Sequence, residues 1–86
     1  MNKRLFCGPL PGIDMAATGR NIEFLRKVAG MSVRDLQGIL GFSSPQAIYK
    51  WQRGESLPTL DNMTVLARVL GRPMEDFIIY FTEELS

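Results

Sequence analysis

The chain has 86 residues, 45% of them apolar and 22% charged, with a formal net charge of +1, which fits one small globular domain rather than a two-domain, ligand-sensing protein. It contains no histidine and one cysteine, Cys7, excluding histidine-based triads, proton shuttles, most zinc sites and an intramolecular disulfide. The charge is unevenly placed: residues 18–72 hold eight basic and four acidic side chains, whereas residues 73–86 hold four acidic and no basic ones. A basic centre points to an anionic partner, and an acidic end to something other than nucleic acid.

At the N-terminus, Lys3 and Arg4 followed by Leu5, Phe6 and Cys7 imitate a targeting signal. Gly8, Pro9, Pro11 and Gly12 break that apolar stretch too early for a signal's hydrophobic region. No apolar run nears the roughly 18 residues of a membrane span. Residues 1–13 therefore read as an irregular, flexible arm of a cytoplasmic protein. From about Asp14 to Ala29, Met15, Gly19, Ile22, Leu25 and Ala29 recur on one helical face, and Gly30 stands at the C-terminal cap. Ser32 is an N-cap with Asp35 in the capping-box position, and Val33, Leu36 and Leu40 predict a second helix over 33–40 that stops at Gly41.

Phe42 and Ser43 form a turn, Ser44 caps the next helix and Pro45 takes its first position, where a missing N–H is harmless. This third helix, 45–52, buries Ile48 and Trp51. After a loop from Arg53 to Pro58, Thr59 caps a fourth helix in which Met63, Leu66, Ala67 and Leu70 repeat up to Gly71. Pro73 opens a fifth, with Glu75 and Asp76 complementing its dipole. The apolar run Phe77, Ile78, Ile79, Tyr80 and Phe81 is compatible with either helix or extended chain. The expected fold is all-α and compact with five helices and an irregular N-terminal arm: a domain over 14–72 holds the first four, and the fifth opens an acidic, apolar C-terminal segment over 73–86.

The third helix is lopsided. Gln46, Ala47, Tyr49, Lys50 and Arg53 face outward, and glutamine and lysine side chains on a short helix can hydrogen-bond base edges in the major groove. Ser43, Ser44 and the free N–H groups at the helix start suit phosphate oxygens.

Over residues 14–79, and most strongly over 31–71, the sequence resembles the phage repressor and Cro type of helix-turn-helix, also called XRE-like. Gly41 matches the family's turn glycine, Ile48 and Trp51 its buried recognition-helix positions, Arg53-Gly54 and Pro58 the following loop, and Leu66-Ala67 with Leu70-Gly71 its fourth helix. The resemblance implies a sequence-specific DNA-binding transcriptional regulator, a repressor in the expected form, acting on double-stranded DNA. It implies base contacts by Gln46, Ala47, Tyr49 and Lys50, and phosphate contacts by Arg34, Ser43, Ser44, Arg53, Thr59 and Asn62. There are departures. Val33 stands where the family often has a phosphate-touching glutamine, Gln37 replaces a small alanine, and one extra residue separates Gly41 from Ile48. Gly38 inside the second helix costs about 1 kcal/mol relative to alanine.

No catalytic constellation, glycine-rich phosphate loop or metal-ligand spacing is present in the sequence, so no enzyme, cofactor, metal or small-molecule ligand is expected. The competing class is a protein-interaction module, such as an antitoxin or adaptor on the same fold. The C-terminal run suggests a homodimer. If helical, Phe77, Ile78, Phe81 and Leu85 share a stripe that a second chain could cover; if extended, Ile78 and Tyr80 face opposite to Phe77, Ile79 and Phe81. The alternative is that one of these faces folds back on the first and fourth helices.

Overall fold

The computed structural model describes residues 12–81. Among them are four α-helices, which we number α1 (Met15–Val28), α2 (Val33–Leu40), α3 (Gln46–Gln52) and α4 (Leu60–Leu70), and one 3-10 turn, Met74–Asp76. The expected fifth helix shrinks to that turn: Phe77 follows with helical φ/ψ, but the chain then leaves the helix.

Three of the four α-helices begin where an N-cap side chain supplies an acceptor for an orphaned N–H. Asp14 Oδ1 accepts from Ala17 N at 3.0 Å. Ser32 Oγ accepts from Asp35 N, while Asp35 Oδ2 accepts from Ser32 N, both at 2.9 Å, completing the capping box. Thr59 Oγ1 accepts from Asn62 N at 3.3 Å. The start of α3 is looser. Pro45 flanks it instead of occupying its first position, and Ser44 Oγ lies 3.4 Å from Gln46 N. Gly41 ends α2 at φ +73°, a left-handed conformation that side-chain-bearing residues resist.

Ile22 and Leu25 of α1, Leu36 of α2, Ile48 and Trp51 of α3, and Met63, Leu66 and Leu70 of α4 converge on one core. Phe42 closes its edge, its ring meeting Trp51 edge-on at 5.8 Å between centroids. The buried face of α1 is rotated from the expected one. Met15 is half-buried and Ala29 exposed, while Thr18, Gly19 and Arg26 join Ile22 and Leu25 inside.

The last residues of the described chain are extended and return to its start. Asp14 N donates to Ile79 O at 2.7 Å and Phe81 N to Gly12 O at 2.9 Å, around an antiparallel bridge between Ile13 and Tyr80. Thr18, fully buried, holds both polar backbone groups of Ile79: its hydroxyl accepts from Ile79 N at 2.9 Å and donates to Ile79 O at 3.3 Å. Asn21 Nδ2 donates to Asp76 O and Phe77 O at 2.7 and 3.1 Å.

This closure corrects the expectation for Phe77. Its side chain is 0% exposed and part of the core, so it offers no surface to a second chain. Ile78 is half-buried against the same core, whereas Ile79, Tyr80 and Phe81 are exposed. The simple alternation of an extended strand is therefore not kept. Leu85 and residues 1–11, including Cys7, lie outside the described residues.

Candidate nucleic-acid interface

At about 100° per residue, Ile48 and Trp51 define the inward side of α3, and Gln46 falls opposite them. Pro45 and Tyr49 lie to one side of that crest and Ala47 and Lys50 to the other. Gln46, Tyr49 and Lys50 are exposed and Ala47 is half-buried, so the helix stands as a polar ridge.

The ridge separates two open recesses. On its α2 side lies one of about 510 Å³, lined by Val33, Arg34, Gln37, Gly38, Pro45 and Tyr49. On the other side lies one of about 360 Å³, lined by Phe42, Ser43, Ser44, Gln46, Ala47, Lys50 and Ser56. The structure thus brings seven of the expected contact residues, Arg34, Ser43, Ser44, Gln46, Ala47, Tyr49 and Lys50, onto or beside one ridge. Thr59 and Asn62 line neither recess; they form the first turn of α4, and the Thr59 hydroxyl is engaged in capping it.

Arg53 follows α3 and is held by Glu55. Its Nε and Nη2 donate to the two carboxylate oxygens at 2.6 and 3.3 Å. These bonds hold the Glu55 carboxyl below its ordinary value and raise the Arg53 guanidinium above its own. Because Arg53 and Glu55 are about half-exposed, at 54% and 50%, the pair contributes little to stability, and a phosphate can compete for the guanidinium. Arg34 and Lys50 enter no ion pair among the described residues.

Three residues that sequence reasoning gave no role in the site set the pose of the ridge. Gly19 lies against the end of α3: a Cβ built on it would fall 2.1 Å from Trp51 O and 2.8 Å from Gln52 O, so only glycine permits this approach of α1 and α3. Arg26 is 7% exposed. Its Nε donates to Gln52 Oε1 at 3.1 Å and its Nη1 to Met31 O at 2.7 Å, tying α1, the α1–α2 loop and the last turn of α3 together. A buried cation is expensive unless its donors are satisfied, and here a neutral amide and a carbonyl do so without a carboxylate. Nothing local marks these positions; an arginine and a glutamine 26 residues apart carry no joint signature. Gln37, the departure from the family's alanine, is half-buried and turns its amide nitrogen to Phe42 O at 3.3 Å, bonding across the turn itself.

A family model described as "Helix-turn-helix" matches residues 22–77. No curated protein sequence matches the chain. Among solved structures, the restriction-modification controller protein C.AhdI from Aeromonas hydrophila superposes with a TM-score of 0.66 at 23% identity, covering 74% of this chain and 96% of that one. The clp gene regulator ClgR from C. glutamicum gives a TM-score of 0.63 at 21% identity, covering 73% of this chain and 80% of its own. Hydroxypropylphosphonic acid epoxidase from S. wedmorenis gives 0.67 at 23% identity over 76% of this chain, but the match spans only 34% of the enzyme. At these identities the likenesses concern the fold. The matched residues run from within α1 to the buried Phe77 and include the whole of the ridge, and the chain belongs to the XRE-type helix-turn-helix family of DNA-binding transcriptional regulators.

Proposed function

We propose that the protein is a homodimeric repressor that reads duplex DNA by placing α3 in the major groove. One observation carries this reading: α3 buries Ile48 and Trp51 while holding Gln46, Tyr49 and Lys50 outward on a ridge of helical width. The major groove, about 12 Å wide, admits such a helix. Gln46, at the crest, matches the paired donor and acceptor of adenine, Lys50 suits the acceptors of guanine, and Ala47 and Tyr49 supply apolar contact on either flank. Ser43, Ser44 and Arg34, with Arg53 once released from Glu55, provide phosphate contacts that set register. Thr59 and Asn62 add contacts from the start of α4, through the backbone N–H of exposed Thr59 and the side-chain amide of Asn62. The mechanism uses no cofactor, metal, small-molecule ligand or catalytic step.

Half-buried Ile78 and exposed Ile79, Tyr80 and Phe81 support two-fold association at the terminal closure. Such symmetry sets two ridges about 34 Å apart and implies a roughly palindromic operator. A dimer seated there excludes other proteins from the same groove, which is the simplest route from binding to repression.

Selection from a random duplex pool tests the reading. A palindromic preferred site is expected, with Gln46→Ala losing about 1–3 kcal/mol on it and relaxing choice at one base pair. Equal weakening on all sequences would remove Gln46 as a reader. Sedimentation equilibrium at tens of micromolar tests the dimer, which Tyr80→Asp combined with Phe81→Asp, both at exposed positions, is expected to dissociate without unfolding. The interaction-module alternative draws on the net charge of only +1 and on the exposure of Phe24, Val28 and Leu60, each above one-half at 60%, 61% and 71%. It predicts a folded protein with no salt-dependent duplex binding.

A further inference from the structure

The recess between α2 and α3 differs in chemistry from its counterpart across the ridge. Its surface is mostly apolar, with Val33, Pro45 and the ring of Tyr49 supplying the walls. Gly38 leaves one side open, since a Cβ built there would meet nothing within 4 Å. The Gln37 amide nitrogen is turned to the Phe42 carbonyl. The recess across the ridge is about half polar, with Ser43, Ser44, Gln46, Lys50 and Ser56 around it beside Phe42 and Ala47. A helix flanked by one mixed and one mostly apolar hollow is not symmetric toward the base pairs on its two sides.

We infer that the α2–α3 recess is a specificity pocket for the 5-methyl group of a pyrimidine, an inference that rests on α3 lying in the major groove. Three observations favour that occupant. The pocket is continuous with the reading face, because Tyr49 forms part of both. Arg34, exposed and in no ion pair among the described residues, stands on its rim, so an apolar group bound there has an anion beside it. The 5-methyl is the apolar feature of the major-groove edge, and the base bearing it is joined to a phosphodiester that Arg34 can meet. Val33 thereby gains a role: where the family often has a polar phosphate contact, this chain has an apolar wall. The same methyl occurs on thymine and on 5-methylcytosine, and the deoxyribose is the competing apolar surface.

The test uses the preferred duplex selected from the random pool, with each thymine replaced singly by uracil, which removes the methyl and keeps every hydrogen-bonding group. One position per half-site is expected to weaken binding about threefold to fivefold, the effect of burying one methyl-sized apolar group. At that position cytosine is compared with 5-methylcytosine: tighter binding on methylation assigns the pocket to the methyl on either base, and no gain restricts it to thymine. Tyr49→Ala is expected to erase the thymine preference and Tyr49→Phe to retain it, with helicity by circular dichroism unchanged in both; Val33→Ser is expected to reduce it. Indifference to uracil at every position would mean that the recess covers sugar, and the inference fails while major-groove reading stands. A preference that survives both Tyr49→Ala and Val33→Ser places the methyl elsewhere. A folded protein with no salt-dependent duplex binding overturns the major-groove reading itself.

Discussion

The reading half of the molecule, from Ser32 to Gln52, and the terminal closure, where residues 12–14 meet 78–81, are built on opposite plans. In the reading half most hydrogen bonds are local: Ser32 with Asp35, Gln37 with the Phe42 carbonyl, Ser44 with Gln46 N. In the closure almost none are; Thr18 and Ile79, 61 residues apart, satisfy one another. Short-range bonds let a helix-turn-helix keep its shape while its outer face varies. Long-range bonds make the closure depend on the core forming first, because the ordering entropy of the ends is offset only once both are held close.

The largest expected effect joins the two halves. Gly19→Val brings a branched side chain against the Trp51 and Gln52 carbonyls, and urea unfolding is expected to show a loss of about 3 kcal/mol or more, with duplex binding falling in step. A fully stable Gly19→Val protein would mean that α1 and α3 can move apart at little cost.

Thr18→Val isolates the closure. It removes the hydroxyl while keeping the shape, leaving the Ile79 amide without its partner while the Ile79 carbonyl keeps its bond from Asp14 N; a loss of about 1–3 kcal/mol is expected. Amide exchange is expected to accelerate at Ile79 and Asp14 and to stay unchanged within α2 and α3. Equal acceleration everywhere would show that the two regions unfold as one unit.

Arg53→Ala probes the reading half without touching the core. The log–log salt dependence of duplex binding is expected to flatten by about 0.9 for the lost phosphate contact, with base preference unchanged. An unaltered slope would mean that Glu55 keeps the guanidinium even on DNA.

The smallest effect is on acid stability. The backbone and side-chain bonds of Ser32 hold the Asp35 carboxyl below its ordinary 3.8. A carboxyl lowered by folding contributes stability that is full above its unfolded value and lost as pH falls through the folded one. The capping box is therefore expected to weaken as pH drops below about 4, and Asp35→Asn to lower stability slightly at neutral pH while removing that part of the acid dependence. An unchanged acid dependence would place it elsewhere, Glu55 being the other carboxyl held low by folding among the described residues.

Much of the candidate interface was legible without coordinates. Gln46, Tyr49 and Lys50 are outward because Ile48 and Trp51 must be inward, a consequence of helical period alone. The state of Arg53 was not legible, since its competition between Glu55 and a phosphate depends on side-chain reach. Nor was the apolar recess, which exists because Val33 and Gly38 on one helix lie beside Pro45 and Tyr49 on another.

The amino-acid order by itself determined where most helices begin and end, α3's first residue and the expected helix after Pro73 excepted. Asp14, Ser32 and Thr59 cap, and Gly41 and Gly71 terminate, through bonds and dihedral preferences spanning only a few residues. Folding in three dimensions decided the rest: that Gly19 touches α3, that Arg26 finds Gln52, that Phe77 is core, and that residues 78–81 extend instead of coiling. The physical reason is hydrogen-bond accounting. A chain end laid over a finished core takes the conformation in which its backbone groups find partners. For Ile79 and Phe81 those partners are Thr18, Asp14 and Gly12, at the far end of the sequence.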